Sequence, residues 1–561
     1  MSALTLRRTG ARALVDALRV HGVDTIFCVP GESYLAVLDA LHDVADEIRL
    51  IVCRHEGGAA NMADAYGKLT GRPGICFVTR GPGAFNASVG VHTAFQDSTP
   101  MILFMGQVGR SDFEREAFQE IDVRKVFGAT AKWAAQIDDP DRVPEMVSRA
   151  FHTAVNGRPG PVVIALPEDM LTAETEAADT GPYQRVASHP GAGDMERLRR
   201  MLEEAERPFL LVGGPGWSEA AKADLEAFAA ANHLPVGTQF RRQDHFDNDH
   251  PCYVGDVGIA INPALAEMIR AADLLVAVGP RLGEMTTSGY SIVRPPEPAQ
   301  KLVHVLPGAE ELGRVYRPAL PILASPEAFA AAARRMAPVE PRWSAWTDRG
   351  RAAYEEWQKP DPNPGPVQMG EIMRWLRDRL PADAIVCNGA GNYAGWVHRF
   401  HRFRRFGTQL APTSGAMGYG VPAAVAAKLR HPDRTVVCFA GDGCFLMTGQ
   451  ELATACQYDL PILVIVVNNG MYGTIRMHQE REYPGRVSGT GLANPDFAAL
   501  ARAYGGHGET VVETAAFAPA FERALASGRP AVIEIRLDPE AITTRTTLSA
   551  IRETARARQA G

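Results

Sequence analysis

The sequence predicts an α/β protein made of three doubly wound parallel-sheet domains. Short runs of apolar and β-branched residues alternate with alanine-rich stretches along the chain, and glycine or proline marks the junctions. This alternation is typical of parallel strands covered by helices. A chain of 561 residues is long enough for about three or four domains of roughly 150 residues each.

The alternation is clearest in three parts of the chain. Strand patterns enclose a helical pattern near the N-terminus and again near the C-terminus, and two strand-then-turn units lie between them. These parts are residues 48–83 (IRLIVCRHE through RPGICFVTRGPG), residues 435–469 (TVVCFAGDG through PILVIVVNN), and the pair RPFLLVGGPG at 207–216 and ADLLVAVGPR at 272–281.

Two segments without apolar periodicity, residues 170–195 and the proline-rich 336–366, are predicted to be linkers. They separate an N-terminal domain (1–170), a central domain (195–335) and a C-terminal domain (366–545). Each of these has an ordinary domain size.

Composition and charge exclude several classes of function. The net charge is −7, and no basic stripe precedes the basic tail at 546–561, so a nucleic-acid partner is not expected. The N-terminus lacks the apolar region of a signal peptide, and no apolar run approaches the ~20 residues of a membrane span. The eight cysteines form no C-x-x-C pair, and most lie in apolar runs, which predicts buried, reduced thiols and not a disulfide or zinc framework. We expect a cytoplasmic protein that contacts no membrane. The tail is predicted to form a solvated terminal helix, with a lid over an active site as the alternative.

Hard oxygen donors follow two apolar strands in the C-terminal domain. Gly441, Asp442 and Gly443 follow TVVCFA, and Asn468 and Asn469 follow ILVIVV. The separation is about the length of one strand–helix–strand crossover, which brings both strand ends to the carboxyl edge of the sheet. Carboxylate and amide oxygens suit Mg²⁺, which leaves coordination positions for water and phosphate. Glycines there let backbone N–H groups approach a diphosphate. The sequence therefore predicts a magnesium–diphosphate site.

The GDG and NN pair at this spacing resembles the signature of thiamine diphosphate enzymes. From about Leu14 to about Asp538 the chain is most similar to the large, catalytic subunit of acetolactate synthase and its relatives. The stretches that carry the resemblance are RHEGGAA, RGPGAFNA, STPMILFMGQV, AFQEID, GRPGPVVIALPEDM, SGAMGYGVPAA and GDGCFLMTGQELATA. The resemblance implies pyrimidine-binding, central Rossmann-like and diphosphate-binding domains. It also implies a homodimer or homotetramer with the active site at the dimer interface.

The resemblance assigns roles residue by residue. Glu56 would bond the aminopyrimidine N1′ and favour the tautomer that removes the C2 proton, a case of cofactor chemistry tuned by one protein charge. Asp442, Asn469 and the carbonyl of Met471 would hold Mg²⁺. The positions that would contact thiamine diphosphate are Gly31, Gly391, Asn392, Gly415, Met417, Gly441, Gly443, Cys444, Asn469, Met471 and Ile475.

A second set of positions matches the substrate pocket of acetolactate synthases. It comprises Gln107, assigned here to catalysis, together with Phe118, Gln119, Lys132 and His478. For Lys132 a solvated lysine is an equal alternative.

Two positions in this region depart from the family pattern. Glu32 replaces a glycine of the loop that follows Pro30, where an acid can manage protons or repel a second keto acid. His478 replaces a tryptophan that favours a larger acceptor, which weakens branched-chain biosynthesis as an interpretation.

The resemblance implies decarboxylation of a 2-keto acid and capture of the product by a second carbonyl compound, with pyruvate carboligation as the favoured reaction. The alternatives are a plain 2-keto-acid decarboxylase, a 2-hydroxyacyl-CoA lyase, a flavin-dependent pyruvate oxidase and a non-catalytic nucleotide-binding protein. The central domain keeps Arg281 and the glycines at 213, 214 and 216, but the acidic pattern of flavin-binding relatives is altered. A glycine loop alone is a weak motif, so FAD binding stays open.

Overall fold

The computed structural model describes residues 7–560 and confirms the predicted fold class. Three sheets of six parallel strands are present, together with one antiparallel pair of short strands. The chain divides into two compact units. The first holds the described residues up to Val186 and the segment Val425–Arg430, and the second holds the rest. Residues 1–6 of the predicted N-terminal domain and Gly561 of the predicted tail lie outside the described residues.

The first unit contains one six-stranded sheet in the order β3-β2-β4-β5-β7-β6, and β1 pairs with β8. Its elements are β1 (Arg8–Thr9), α1 (Gly10–Val20), β2 (Thr25–Cys28), α2 (Leu35–His42), β3 (Arg49–Val52), α3 (Glu56–Thr70), β4 (Gly74–Val78), α4 (Gly81–Asp97), β5 (Met101–Gln107), α5 (Val123–Phe127), β6 (Trp133–Gln136), α6 (Val143–Val155), β7 (Pro161–Pro167), α7 (Glu168–Thr172) and β8 (Glu174–Thr175).

The first sheet has its topological switch point between β2 and β4, because the chain runs outward to β3 and then returns across β2. Open α/β sheets bind ligands in the crevice at the carboxyl ends of such strands. Strands β5 and β7 are buried along their whole length, as expected for central parallel strands. The side chain of His55 accepts a hydrogen bond from the Gly57 N–H and begins α3.

The central part of the second unit holds a sheet in the order β11-β10-β9-β12-β13-β14. Its elements are α8 (Ala192–Glu204), β9 (Pro208–Val212), α9 (Glu219–Asn232), β10 (Val236–Gln239), β11 (Tyr253–Val257), α10 (Pro263–Ala271), β12 (Leu274–Val278), β13 (Lys301–Leu306), β14 (Leu320–Leu323), α11 (Pro326–Arg335) and α12 (Ser344–Trp357). The predicted linker at 336–366 is therefore not wholly irregular. It contains α12, which buries Trp346 and Tyr354 on the central core.

The C-terminal part of the second unit holds a sheet in the order β16-β15-β17-β18-β20-β19. Its elements are α13 (Met369–Arg379), β15 (Ile385–Asn388), α14 (Ala394–Phe400), β16 (Gln409–Leu410), α15 (Gly420–Arg430), β17 (Val436–Gly441), α16 (Asp442–Phe445), α17 (Glu451–Gln457), β18 (Leu463–Asn468), α18 (Gly473–Glu482), α19 (Phe497–Ala503), β19 (His507–Val511), α20 (Phe517–Ala526), β20 (Ala531–Arg536) and α21 (Leu548–Ala560). The last six residues of α15, Val425–Arg430, are the segment that belongs to the first unit. Strands β17 and β18 are neighbours, with α16 and α17 in the connection between them, as the sequence predicts.

Cysteine placement also follows the prediction. All eight cysteines are free thiols, and only Cys456 is not fully buried. Between residues 7 and 560, no helix combines the length and the apolar character that a membrane crossing requires.

Candidate functional site

The carboxyl ends of β17 and β18 lie side by side and place the predicted metal ligands at one edge of the sheet. Gly441 is the register partner of Val467, so Asp442 and Asn469 leave adjacent parallel strands within two residues of that pair. The expectation that one crossover would bring these two residues to the same edge is confirmed.

Asp442 is buried, with only 3% of its surface exposed. Its Oδ1 accepts a hydrogen bond from the Gly443 N–H (2.9 Å), and its Oδ2 accepts one from the Met471 N–H (3.2 Å) and one from Asn494 Nδ2 (2.8 Å). The pKa of this carboxyl is raised above its ordinary value by burial, and the hydrogen bonds offset part of that increase. A buried carboxylate surrounded by N–H dipoles is a strong electrostatic partner for a cation.

The two adjacent asparagines have different surroundings. Asn468 Nδ2 donates to Glu534 Oε1 (2.8 Å), and Asn468 Oδ1 accepts from the Gly470 N–H (3.1 Å) and from Asn494 Nδ2 (2.9 Å). The side chain of Asn469 makes no hydrogen bond to any described residue and is only partly buried. The first asparagine is thus committed to the protein, whereas the second has its amide available.

Asn494 is a site residue that sequence reasoning missed. It belongs to a loop that folds back on the site, because Met471 and Gly491 form an isolated antiparallel bridge. Its Nδ2 donates to both Asp442 and Asn468, while its buried Oδ1 has no partner among the described residues. The local sequence Asn-Pro-Asp is typical of a turn before a helix, and Asp496 does cap α19. The cap alone accounts for this sequence pattern, so the pattern does not indicate that Asn494 also bonds Asp442 and Asn468.

Cys444 joins three segments that the sequence assigned to the cofactor. Its Sγ accepts hydrogen bonds from the Gly418 N–H (3.2 Å) and from the Tyr393 hydroxyl (3.4 Å). The turn that contains Gly415 (φ +72°) and the buried segment around Tyr393 are thereby brought to α16. A side chain at Gly415 would be strained because L-residues rarely adopt this conformation.

The predicted diphosphate contacts lie close to α18. Asn392, which follows Gly391, accepts a hydrogen bond from Thr474 Oγ1 through its Oδ1 (2.9 Å), and its Nδ2 points at Met477 Sδ (3.4 Å). On the same helix, Ile475 is 56% exposed, and His478 is also exposed. Met417 is partly buried against the C-terminal core. These predicted residues therefore surround one edge of the C-terminal sheet.

In the first unit, Glu56 is the first residue of α3. Its Oε2 accepts a hydrogen bond from Asn86 Nδ2 on α4 (2.9 Å). Its second oxygen accepts no hydrogen bond from a described residue. Asn86 was not singled out from the sequence, although it lies in the stretch RGPGAFNA. The carboxylate is therefore oriented by one partner and keeps one oxygen available.

Glu32 lies at the switch point of the first sheet, after β2, and is exposed. Arg80 follows β4 on the other side of the crevice, with its Nη1 4.0 Å from Glu32 Oε1. Arg80 also forms an ion pair with Glu168, at the start of α7. The crevice therefore presents a charged group on each side. Gly31, just before Glu32, leaves no room for a side chain, because a Cβ there would lie 2.6 Å from Thr79 Cβ.

The other predicted pocket residues of the first unit, Lys132 excepted, follow the carboxyl ends of its strands, near Glu32 and Arg80. Gln107 ends β5 and is fully engaged, because its Nε2 donates to the Ile121 carbonyl (2.7 Å) and its Oε1 accepts from the Val108 N–H (3.0 Å). Phe118 is 72% exposed, and the Gln119 carbonyl accepts from the Gly81 N–H (2.9 Å).

Lys132 lies elsewhere in the first sheet. It precedes β6, at the amino ends of the strands, and its Nζ donates to the Asn156 carbonyl (2.7 Å). Within this unit, the structure does not bring Lys132 together with Glu32 or Gln107.

Comparison with known proteins identifies the family. The family models described as the N-terminal TPP binding domain, the central domain and the C-terminal TPP binding domain of thiamine pyrophosphate enzymes match residues 8–126, 195–333 and 389–535. The chain is 34% identical over 547 residues to the acetolactate synthase large subunit of Parasynechococcus marenigrum (strain WH8102), covering 94% of this chain and 87% of that protein.

The chain belongs to the thiamine pyrophosphate enzyme family.

Two further relatives cover nearly the whole chain. The acetolactate synthase isozyme 2 large subunit of Escherichia coli (strain K12) is 32% identical over 537 residues, which is 94% of this chain and 95% of that protein. The probable acetolactate synthase large subunit of Methanocaldococcus jannaschii is 31% identical over 555 residues, or 94% and 92%. The predicted resemblance is confirmed, and the protein is a thiamine diphosphate (thiamine pyrophosphate)-dependent enzyme.

The glycines of the central domain of this thiamine pyrophosphate enzyme have a packing role. Gly214 and Gly279 follow β9 and β12, the two strands at the switch point of that sheet. A Cβ on Gly214 would lie 2.0 Å from the Gly279 carbonyl oxygen, and one on Gly279 would lie 2.1 Å from the Gly213 carbonyl oxygen. The two turns thus require glycine in order to approach each other. Close packing of the two turns therefore accounts for Gly214, one of the three glycines in the predicted loop.

Proposed function

We propose that this protein is a Mg²⁺-dependent thiamine diphosphate enzyme that decarboxylates pyruvate and joins the two-carbon product to a second pyruvate. The observation that carries this proposal is the similarity to acetolactate synthase large subunits over more than nine-tenths of the chain. A 2-keto acid is accordingly the proposed small-molecule substrate.

The donor set at the C-terminal sheet edge fits Mg²⁺. It consists of the Asp442 carboxylate, the Asn469 amide oxygen and the Met471 carbonyl, which are hard oxygen donors. The open side chain of Asn469 and the unpartnered Oδ1 of Asn494 support this assignment. Three protein oxygens would leave positions for diphosphate and water. In residues 7–560 no group of three or more His, Cys, Asp or Glu side chains is placed to hold a metal ion, so the proposed site combines one carboxylate with an amide and a carbonyl oxygen.

Glu56 fits the proposed role at the aminopyrimidine ring. When bound, thiamine diphosphate supplies a carbon nucleophile and an electron sink for cleaving the bond next to a carbonyl. Glu56 would hold the proton at N1′ through the oxygen that Asn86 leaves open. Glycines 391 and 415, Asn392 and Met417 would orient the cofactor, together with Gly441, Gly443, Cys444 and Ile475.

We assign Glu32 to proton management near the substrate, with Arg80 setting its electrostatic surroundings. Phe118, Gln119 and His478 would form the pocket walls. Gln107 would act by shaping the pocket, because both of its polar groups are already bonded to the protein. Lys132 is the weakest member of the set because its ammonium is bonded to Asn156.

A second copy of this chain is the proposed partner. On α4, Phe85 and Val89 lie one helical turn apart and are 55% and 40% exposed, next to Asn86, the partner of Glu56. An apolar helix face beside a functional carboxylate favours coverage by another subunit. The proposal therefore includes a homodimer or homotetramer with a shared active site. A cytoplasmic location is a separate part of the proposal.

Product analysis tests the proposed reaction. The purified protein is incubated with thiamine diphosphate, Mg²⁺ and labelled pyruvate, and CO₂, 2-acetolactate, acetaldehyde and oxygen uptake are followed. The proposal expects one CO₂ for each acetolactate. Acetaldehyde alone would show a plain decarboxylase, and oxygen uptake with flavin absorbance would show the oxidase.

A CoA-dependent lyase would need cations for the CoA phosphates. The adjacent Arg404 and Arg405 could supply such cations, but they are already paired with Asp249 and Glu219. Cleavage of a 2-hydroxyacyl-CoA without turnover of pyruvate would refute the carboligase proposal.

A further inference from the structure

A buried ionic cluster joins the terminal helix α21 to α18. Glu480 on α18 has only 1% of its side chain exposed. Its two carboxylate oxygens accept hydrogen bonds from Arg552 Nε (2.8 Å) and Nη2 (2.9 Å), from Arg476 Nε (3.1 Å) and Nη2 (2.7 Å), and from the Gly485 N–H (2.8 Å). The Arg552 guanidinium is the main cause that lowers the pKa of Glu480 to about 2. We call Glu480, Arg476 and Arg552 the tail clamp.

The clamp reverses the usual distribution of residues on α18. Its carboxylate is buried against α21, whereas the apolar Ile475 and the neighbouring His478 face solvent. A helix normally buries its apolar face and exposes its charges. The reversed arrangement is expected when the exposed face of α18 contacts a ligand and its charged face fixes the helix to α21.

Additional contacts fix both ends of α21. Gln559 Nε2 donates to the Glu482 carbonyl at the end of α18 (3.2 Å). At the start of α21, the Glu540 carboxylate accepts hydrogen bonds from the Ser549 N–H (2.7 Å) and hydroxyl (2.9 Å). The tail is therefore an ordered, packed helix. The expected terminal helix is present and most of its residues are exposed, but the face that carries Arg552 packs against α18.

The clamp is also continuous with the candidate metal site. Gln479, next to Glu480, donates to the Ser488 carbonyl (2.6 Å) and accepts from Thr490 Oγ1 (3.2 Å). This loop then leads to Asn494, whose amide bonds Asp442. At its other end, α18 begins two residues after Met471. A shift of α18 would consequently move both the pocket wall and the support of the metal ligands.

We propose that Arg552 and Glu480 are positioning residues, through which the C-terminal helix holds α18 and its exposed face in the geometry required by the substrate pocket. This inference rests on the proposed function for its catalytic readout. The charge on Glu480 acts through α18 and touches neither substrate nor cofactor.

The test compares two arginines that make bidentate pairs with glutamate in the same domain. Arg552→Ala opens the clamp, whereas Arg379→Ala removes the pair with Glu522 (2.6 and 2.9 Å), which joins α13 to α20 and not α18. We expect Arg552→Ala to lower kcat/KM for the 2-keto acid on the order of 10²-fold, as small displacements of positioned groups do. Amide hydrogen exchange over residues 473–485 should accelerate in the same variant.

The control and the conservative variant sharpen the result. Arg379→Ala should keep kcat/KM and the exchange of α18 within about twofold of wild type. Arg552→Lys should restore part of the activity, because an ammonium retains the charge but not the bidentate geometry. It also serves as the informative variant if Arg552→Ala does not fold.

Three results would overturn the inference. They are unchanged exchange over α18 in Arg552→Ala, faster exchange with unchanged kcat/KM, and equal losses in Arg552→Ala and Arg379→Ala. Wild-type protein that turns over no 2-keto acid would instead refute the proposed function. In that case hydrogen exchange and the affinity for thiamine diphosphate with Mg²⁺ still decide whether the clamp positions α18.

Discussion

Replacing Asn468 should reduce mainly the stability of the protein, whereas replacing Asn469 should reduce mainly the binding of the cofactor and Mg²⁺. Asn468→Ala removes three hydrogen bonds, of which one goes to the buried Glu534 carboxylate. At about 1 kcal/mol for each neutral bond and about 2 kcal/mol for the charge-assisted one, the free energy of unfolding should fall by about 4 kcal/mol. Asn469→Ala removes no hydrogen bond to a described residue, so it should change that free energy by less than about 0.5 kcal/mol.

Binding should show the reverse order. Thiamine diphosphate and Mg²⁺ at about 100 times their dissociation constant stabilise a protein by about 2.7 kcal/mol. Asn469→Ala should lose most of this stabilisation, because a proposed metal ligand is gone, whereas folded Asn468→Ala should keep a larger part of it.

Thermal and urea unfolding with and without the two ligands measures both effects. Equal stability of the two ligand-free variants would refute the division of labour between the asparagines. A full ligand-induced shift in Asn469→Ala would refute the metal assignment.

Three further predictions concern charge and metal. The pKa of Glu480 is lowered to about 2, so its contribution to stability is present above its ordinary value near 4.5 and is lost as the pH falls towards 2. As the pH falls towards 2, the free energy of unfolding of Glu480→Gln should decrease by about 3 kcal/mol less than that of wild type. The same acid-induced decrease in both proteins would contradict the clamp. Glu32→Gly should change the ratio of acetolactate to acetaldehyde, and an unaltered ratio would place Glu32 outside the pocket. Chelation with EDTA should release thiamine diphosphate and abolish activity. Addition of Mg²⁺ should restore both cofactor binding and activity. Cofactor retention after chelation would argue against a metal-bridged diphosphate.

The C-terminal crossover could be predicted from the sequence because its signals are local. Apolar runs define β17 and β18, and polar residues follow each of them, so parallel geometry alone brings Asp442 and Asn469 to one edge. The three-sheet architecture follows from the same alternation of strands and helices. The sequence does not predict helix α12, because prolines flank it and charged residues interrupt its apolar positions, although Trp346 and Tyr354 fix it on the core.

The contacts that orient the site could not be predicted, because they join distant segments. Asn494 reaches Asp442 only after a loop folds back through the Met471 bridge. Arg552 and Glu480 are far apart in the chain, and each alone resembles an ordinary surface charge on a helix. The resemblance assigned Lys132 to the pocket, but no sequence signal indicates that it lies at the amino edge of its sheet.

Hydrogen–deuterium exchange at C2 of bound thiamine diphosphate tests the central claim about the active site most directly. It should be measured in wild type, in Glu56→Gln and in the control Glu145→Gln, which changes an exposed surface carboxylate paired with Arg142, with cofactor binding verified in each. We predict fast exchange in wild type and in Glu145→Gln, and exchange slowed on the order of 10²-fold or more in Glu56→Gln, the loss expected for a proton-transfer role. Unchanged exchange in Glu56→Gln with the cofactor bound would contradict the assignment of Glu56 and the account built on it.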